Sequence, residues 1–227
     1  MNKKTDSINV IIHGFTGSSD EMNYLTNYLD THGLNTHPIT LKGHGGTKKD
    51  LCDSSYKDWL YSAESEVAKI KNMYKKINII GFSMGGLICA IMSEKFNINK
   101  IVFINTPVYL LNPKIITKHI LDDFLNGSRE KIALYRDRMN NTSPKSVINF
   151  LRIFVKSRKT IGNVLSQSII LQCIDDEIVH WKSAEYLKNK ISGNVLLKYY
   201  DGGCHHVFEE NSDLKDAYCE EIFRFLA

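Results

Sequence analysis

The 227-residue sequence lacks the cysteine and histidine patterns of disulfide-rich and metal-binding proteins. Its cysteines are odd in number and scattered: Cys52, Cys89, Cys173, Cys204 and Cys219. Since none of them forms a C-x-x-C pair, the sequence argues against a disulfide framework or a structural zinc site and favours a reducing compartment. The histidines have no H-x-H or H-x-x-x-H spacing, and we predict no metal site.

Long apolar runs and a large net charge are also missing. The longest apolar stretch is interrupted by Asn78, Ser83 and glycines, which excludes a predicted membrane span and a stable membrane anchor. The first residues carry positive charge without an apolar h-region, and we expect a cytoplasmic protein. A net charge of +4 is too small to indicate nucleic-acid binding, so no nucleic-acid partner is predicted.

What the sequence does have is an alternation of short apolar runs and helical patterns. The runs predict strands at 8–12, 34–39, 77–80, 101–104, 168–173 and 195–200. Apolar residues at three- and four-residue steps predict helices at 20–32, from about 55, after 85, at 183–190 and at 214–226. This order predicts one α/β domain with a mostly parallel sheet flanked by helices on both faces.

The stretch from 107 to 165 breaks this alternation. It has no clear strand, and its patterns predict helical pieces at 115–125, 129–138 and 145–156. We therefore interpret residues 107–165 as an insertion, and residues 1–106 and 166–227 as the core of the domain.

The motif G-x-S-x-G lies between a predicted strand and a predicted helix, at Gly81, Ser83 and Gly85. A strand that turns into a helix within a few residues raises the serine hydroxyl above the sheet. The unpaired N–H groups of the helix N-terminus then face any developing oxyanion. We predict Ser83 as a nucleophile. The expected oxyanion donors are the backbone N–H groups of Met84 and of Phe15, after the first strand, and both side chains are candidates for lining an acyl pocket.

A serine nucleophile needs a base and an orienting carboxylate, in the chain order Ser, Asp/Glu, His. Three acidic residues compete for the carboxylate role after the strand at 168–173: Asp175, Asp176 and Glu177. Glu177 is expected to point to solvent.

Two adjacent histidines, His205 and His206, follow the strand at 195–200, and only one can reach Ser83. We choose His206 because apolar Val207 and Phe208 follow it, and we expect His205 to be a nearby loop residue. His13 and His44 lie in loops beside the site and are expected to be structural.

Motifs along nearly the whole chain resemble those of the α/β-hydrolase superfamily, in particular its small bacterial carboxylesterases and monoacylglycerol lipases. The matching segments are H-G-F-T-G at 13–17, G-H-G at 43–45 and the serine turn at 81–86. In that group the catalytic acid is followed by two residues and then an aliphatic one, a pattern that selects Asp176. The sequence departs from the group where Cys204-His205 replaces Ser-Gly and where His180 stands in place of proline or asparagine.

The resemblance implies an α/β-hydrolase fold and hydrolysis of carboxylic esters through an acyl-enzyme, with Ser83, Asp176 and His206 as the triad and without a cofactor. The implied substrate is a small ester with a short- to medium-chain acyl group, monoacylglycerols included. The same triad leaves open a thioesterase, a C–C hydrolase or an acyltransferase. A non-catalytic hydrolase-like ligand-binding protein is a further alternative.

The insertion corresponds to the small helical cap, or lid, of this group, which shapes the substrate pockets. Its apolar residues Ile116, Ile120 and Phe124 are the substrate-binding candidates. The cap carries eleven Lys and Arg against four Asp and Glu, a net of +7. Two interpretations remain open: a cap with one face packed on the core and the other in water, or a basic lid that contacts anionic lipid or micelles through charge and apolar residues.

Overall fold

The computed structural model describes residues 7–109, 142–209 and 212–227, which form a six-stranded sheet flanked by helices. The strands are β1 (Ser7–Ile12), β2 (Thr36–Ile39), β3 (Lys76–Phe82), β4 (Lys100–Ile104), β5 (Gln167–Cys173) and β6 (Val195–Tyr200). Each neighbouring pair is parallel, in the order β2-β1-β3-β4-β5-β6. The predicted parallel α/β sheet is confirmed.

The α-helices in the described ranges are α1 (Asn23–Thr31), α2 (Lys48–Asp53), α3 (Tyr56–Ile70), α4 (Met84–Met92), α5 (Pro144–Thr160), α6 (Lys182–Lys190) and α7 (Lys215–Leu226). Two 3₁₀ turns, Ser19–Met22 and Ile161–Asn163, precede α1 and follow α5. Helix α2 was not predicted because six residues are too few to show a helical period. A capping box between Thr47 and Asp50 begins it.

The hydrophobic core has two layers, one on each face of the sheet. One layer is formed with α3, α4, α5 and α6, and its largest fully buried side chain is Trp59. The other is formed with α1 and α7, where Leu25, Tyr218 and Ile222 are fully buried. Because both faces are covered, the central strands β3, β4 and β5 are buried along nearly their whole length.

The strand order reverses at β1, which lies between β2 and β3. In parallel sheets, ligands bind beyond the carboxyl ends of the strands at such a reversal. The loop after β1 and the turn after β3 therefore meet at this edge. They contain the H-G-F-T-G segment and Ser83.

Helix α5 belongs to the predicted cap, and it packs on α3 and α4 through Phe150 and Ile153. The predicted helices at 115–125 and 129–138 lie outside the described residues, and the division into core and cap stays a prediction. In the described ranges, no helix is both long and apolar enough to cross a bilayer.

Candidate active site

The turn between β3 and α4 holds Ser83 in a backbone conformation that side-chain-bearing residues rarely adopt, with φ 51° and ψ −119°. The backbone N–H of Ser83 donates to the carbonyl of Ile104 over 2.8 Å, which fixes the turn to β4. A Cβ at Gly81 would lie 2.3 Å from the backbone nitrogen of Gly86, and one at Gly85 would lie 2.1 Å from the carbonyl oxygen of Ile12. Both glycines are needed because the helix passes this close to the strands.

The imidazole of His205 bridges Ser83 and Asp176. Its Nε2 lies 2.9 Å from Oγ of Ser83, and its Nδ1 lies 2.8 Å from Oδ2 of Asp176. A carboxylate only accepts hydrogen bonds, so Nδ1 carries the proton and Nε2 is free to accept from the serine hydroxyl. All three side chains are buried, with relative exposures of 7% for Ser83, 3% for His205 and 0% for Asp176. This is the arrangement that allows a serine to lose its proton as it attacks.

The structure contradicts our choice of His206 as the base. The two histidine rings are nearly perpendicular, at 89°, and their centroids lie 5.3 Å apart. The side chain of His206 is 26% exposed, and its Nδ1 lies 4.0 Å from Glu21 and 3.9 Å from Glu209. Val207 and Phe208 are buried, as expected, but a turn in which the N–H of Val207 donates to the carbonyl of His205 separates them from the imidazole at the site. The apolar pair therefore indicates the right loop, but the imidazole that lies between Ser83 and Asp176 belongs to the residue before the predicted one.

Asp176, rather than Asp175, lies against the imidazole. Its other oxygen, Oδ1, accepts from the backbone N–H groups of Ile178 and Val179, each over 2.8 Å. These two bonds fix the carboxylate and leave Oδ2 for His205. The prediction that Glu177 points to solvent is wrong: the side chain is buried, and its Oε2 accepts from the backbone N–H of His205 over 3.0 Å.

The expected oxyanion donors, Phe15 and Met84, lie on the two sides of the sheet reversal, and their roles stay predictions. Met84 is the first residue of α4, so its N–H has no acceptor within the helix. Its side chain is fully buried in the core and does not line the cavity above Ser83, which corrects its assignment to the acyl pocket. Phe15 does line that cavity, and its ring packs on Phe150 at 5.2 Å between centroids.

The cavity above Ser83 has a volume of about 200 Å³ in the described part of the chain. It is lined by Gly14, Phe15, Phe82, Ser83, Pro107, Phe150, Ile178, Val179, His205 and His206. Most of these side chains are apolar, and the polar ones among them are those of Ser83, His205 and His206. The other substrate-binding candidates, Ile116, Ile120 and Phe124, lie outside the described residues.

His13 and His44 are buried together, 4.9 Å apart between ring centroids. The Nδ1–H of His13 donates to the carbonyl of Gly14, and its Nε2 accepts from the backbone N–H of Leu41. Burial lowers the pKa of His13 to about 4 and that of His44, which also faces His13, to about 3. Both rings are neutral at pH 7 and hold the loops after β1 and β2 together. In the described ranges no group of three possible metal ligands is found.

Asn105, directly after β4, was missed by the sequence analysis. It is fully buried, and its amide contacts the loops that carry Asp176 and His205. An asparagine after a predicted strand at this edge was the only signal, and it did not distinguish Asn105 from an ordinary loop residue.

The family model described as the alpha/beta hydrolase fold matches residues 10–127, just over half of the sequence. The chain belongs to the α/β-hydrolase family. A carboxylesterase of Bacillus subtilis (strain 168) is 21% identical to it, over 99% of this chain and 94% of the relative.

Two further comparisons agree with the family assignment. A thermostable monoacylglycerol lipase of Bacillus sp. (strain H-257) is 24% identical, over 81% of this chain and 76% of the relative. A solved structure from work on LipS and LipT, two metagenome-derived lipolytic enzymes, matches with a TM-score of 0.78 and 18% identity, over 98% of this chain and 94% of the other. The protein is thus an α/β hydrolase similar in sequence and fold to esterases and lipases.

Proposed function

We propose that this α/β hydrolase cleaves carboxylic esters through an acyl-enzyme formed on Ser83. The observation that supports this most directly is the pair of hydrogen bonds that His205 makes, to Ser83 on one side and to Asp176 on the other. A protein that only binds a ligand has no need of this chain of three groups. The esterase and lipase relatives support the same reaction class.

In the proposed reaction, Oγ of Ser83 attacks the ester carbonyl carbon as its proton passes to Nε2 of His205. Asp176 keeps Nδ1 protonated and stabilises the imidazolium. The N–H groups of Phe15 and Met84 would stabilise the oxyanion. The imidazolium then gives its proton to the departing alcohol, and a water molecule, deprotonated by His205, releases the acid and restores Ser83.

We propose short- to medium-chain acyl esters as substrates, monoacylglycerols included. Support comes from the small, mostly apolar cavity above Ser83, closed on one side by the rings of Phe15 and Phe150. An apolar pocket gains affinity for each methylene that it buries, until the chain no longer fits.

The test is turnover of p-nitrophenyl acetate, butyrate and octanoate by the wild-type protein and by Ser83→Ala. We expect hydrolysis of at least the shorter esters, and its loss in Ser83→Ala without a change in the melting temperature. The profile over the three esters measures the depth of the acyl pocket. Turnover that persists in Ser83→Ala, or no turnover of any ester, would refute the proposal.

We also propose that the cap contacts anionic lipid or micelles through α5. In the described part of the chain, Ile148, Leu151 and Val155 form an exposed apolar stripe on this helix. The helix has five Lys and Arg residues and no acidic residue between 144 and 160. Exposed apolar side chains beside cations are what a negatively charged lipid surface binds.

A further inference from the structure

Glu21 is a largely buried acidic residue that the proposed reaction does not use. It lies in the 3₁₀ turn before α1, and its side chain turns back toward the loop after β1. There its Oε1 accepts a hydrogen bond from the backbone N–H of Gly14. A Cβ placed on Gly17 would lie 2.4 Å from the carboxyl carbon and from both oxygens of Glu21. The carboxyl group thus fills the space beside Gly17 and is bonded to Gly14.

These two glycines flank the expected oxyanion donor, Phe15. The intervening residue Thr16 has φ 68°, an unfavourable value for a threonine. Such a conformation persists only where surrounding contacts hold it. Since Glu21 contacts the loop on both sides of Phe15, it is the side chain placed to hold the direction of the Phe15 N–H.

Glu21 also faces the loop that carries the histidines. Its Oε2 lies 4.0 Å from Nδ1 of His206, and the charge of His205 favours the ionised carboxylate, whereas Glu209 opposes it. Asp20 and Lys215 line the same open cavity as Glu21. Burial raises the pKa of Glu21 to about 7, so the carboxyl group gains and loses its proton near neutral pH.

We propose that Glu21 is a positioning residue: it holds the loop from Gly14 to Gly17 so that the Phe15 N–H meets the oxyanion. This inference depends on the proposed function, because it assigns Glu21 a part in the same reaction.

The first test compares Glu21→Ala, Gly17→Ala and the double variant, with p-nitrophenyl butyrate as the substrate. We expect Glu21→Ala to lower kcat by about 10- to 100-fold with little change in KM, since a misdirected donor weakens transition-state stabilisation. Gly17 has no positive φ, so an alanine there should act mainly by displacing the carboxylate and should lower kcat similarly.

The double variant separates this cause from general damage to the loop. If both single changes act through the same contact, the double variant should fall within about threefold of Glu21→Ala. The proposal would be overturned if the kcat loss of the double variant equalled the product of the two single losses, or if Glu21→Ala were as active as the wild type. Melting temperatures show whether each variant is folded.

The second test uses Glu21→Gln, which keeps an acceptor for the N–H of Gly14 and removes the charge. Its kcat should stay within about threefold of the wild type, because the amide oxygen still holds the loop. Asp20→Asn, which changes a neighbouring exposed acid, is the matched control and should leave kcat unchanged. A loss of kcat in Glu21→Gln as large as in Glu21→Ala would show that the hydrogen bond to Gly14 does not hold the loop.

The two proposals fail separately. If Ser83→Ala keeps its activity, the esterase proposal fails. If Ser83→Ala is inactive while the Glu21 and Gly17 variants match the wild type, only the role of Glu21 fails.

Discussion

The side-chain amide of Asn105 donates a hydrogen bond to the backbone carbonyl of His205 over 2.9 Å. The side-chain oxygen of Asn105 accepts from the backbone N–H of Cys173 over 3.0 Å, and the backbone N–H of Asn105 donates to the carbonyl of Leu171. Asn105 has φ 43°, a conformation that asparagine tolerates better than most residues. One buried amide therefore ties the ends of β4 and β5 to the loop that carries the proposed base.

We expect Asn105→Ala to lower kcat by about 10- to 100-fold with a small change in KM, because a displacement of His205 by a fraction of an ångström disturbs the proton transfer. It should also destabilise the protein by about 2–3 kcal/mol, since two buried backbone groups lose their partner. The measurements are p-nitrophenyl butyrate kinetics and urea unfolding.

Asn99→Ala is the matched control for Asn105→Ala. Asn99 lies just before β4, at the opposite edge of the sheet, and its amide bonds Asn78. This variant should lose stability with little loss of kcat. Equal losses of kcat in the two variants would contradict a specific role of Asn105 in holding His205.

The fold, the position of Ser83 and the acidic run at 175–177 could be predicted because they depend on strand ends, whereas Asp176 is selected within that run by the resemblance. Ser83 and Asp176 each follow a buried strand, and parallel strands bring such residues to one edge. The sequence predicts β3 and β5 because each contains an apolar run that is bounded by polar residues.

The histidine could not be chosen in the same way. His205 and His206 are consecutive in a turn, and a one-residue shift decides which ring faces Ser83. The contacts that set this shift come from distant residues, namely Asn105 on the carbonyl of His205 and Glu177 on its N–H. A sequence pattern contains no signal for such long-range backbone contacts.

His205→Ala should lower kcat by about four orders of magnitude or more, whereas His206→Ala should cost less than about tenfold, because only the ring of His205 contacts both Ser83 and Asp176. Single-turnover and steady-state hydrolysis of p-nitrophenyl butyrate measure both. A severe loss in His206→Ala with an active His205→Ala would contradict the geometry of the loop.

Replacement of His44 by phenylalanine should weaken the dependence of stability on acid pH. The low pKa of the buried ring means that the unfolded chain binds its proton first. Stability is therefore fully present above the ordinary histidine pKa of 6.5 and is lost as the pH falls toward about 3.

Urea unfolding of the wild type and His44→Phe at pH 8, 6 and 5 measures this effect. Between pH 8 and 5, the difference in the free energy of unfolding should change by about 2 kcal/mol in favour of the variant. Glu21, whose pKa is raised, changes stability in the opposite direction between about pH 4.5 and 7, but it is present in both proteins and cancels in the difference. Parallel pH dependences would contradict a buried, neutral His44.

The exposed stripe of α5 predicts binding to anionic vesicles. Replacement of Ile148, Leu151 and Val155 by serine should reduce the partition onto phosphatidylglycerol vesicles by about tenfold or more, since apolar insertion and charge act together. Binding of the wild type should weaken with added salt and be weaker on phosphatidylcholine vesicles. Co-sedimentation measures the partition, and Tyr61→Ser with Met73→Ser, which removes two exposed apolar side chains elsewhere, is the matched control. If the triple-serine variant and the control bind alike, the contact does not involve this face of α5.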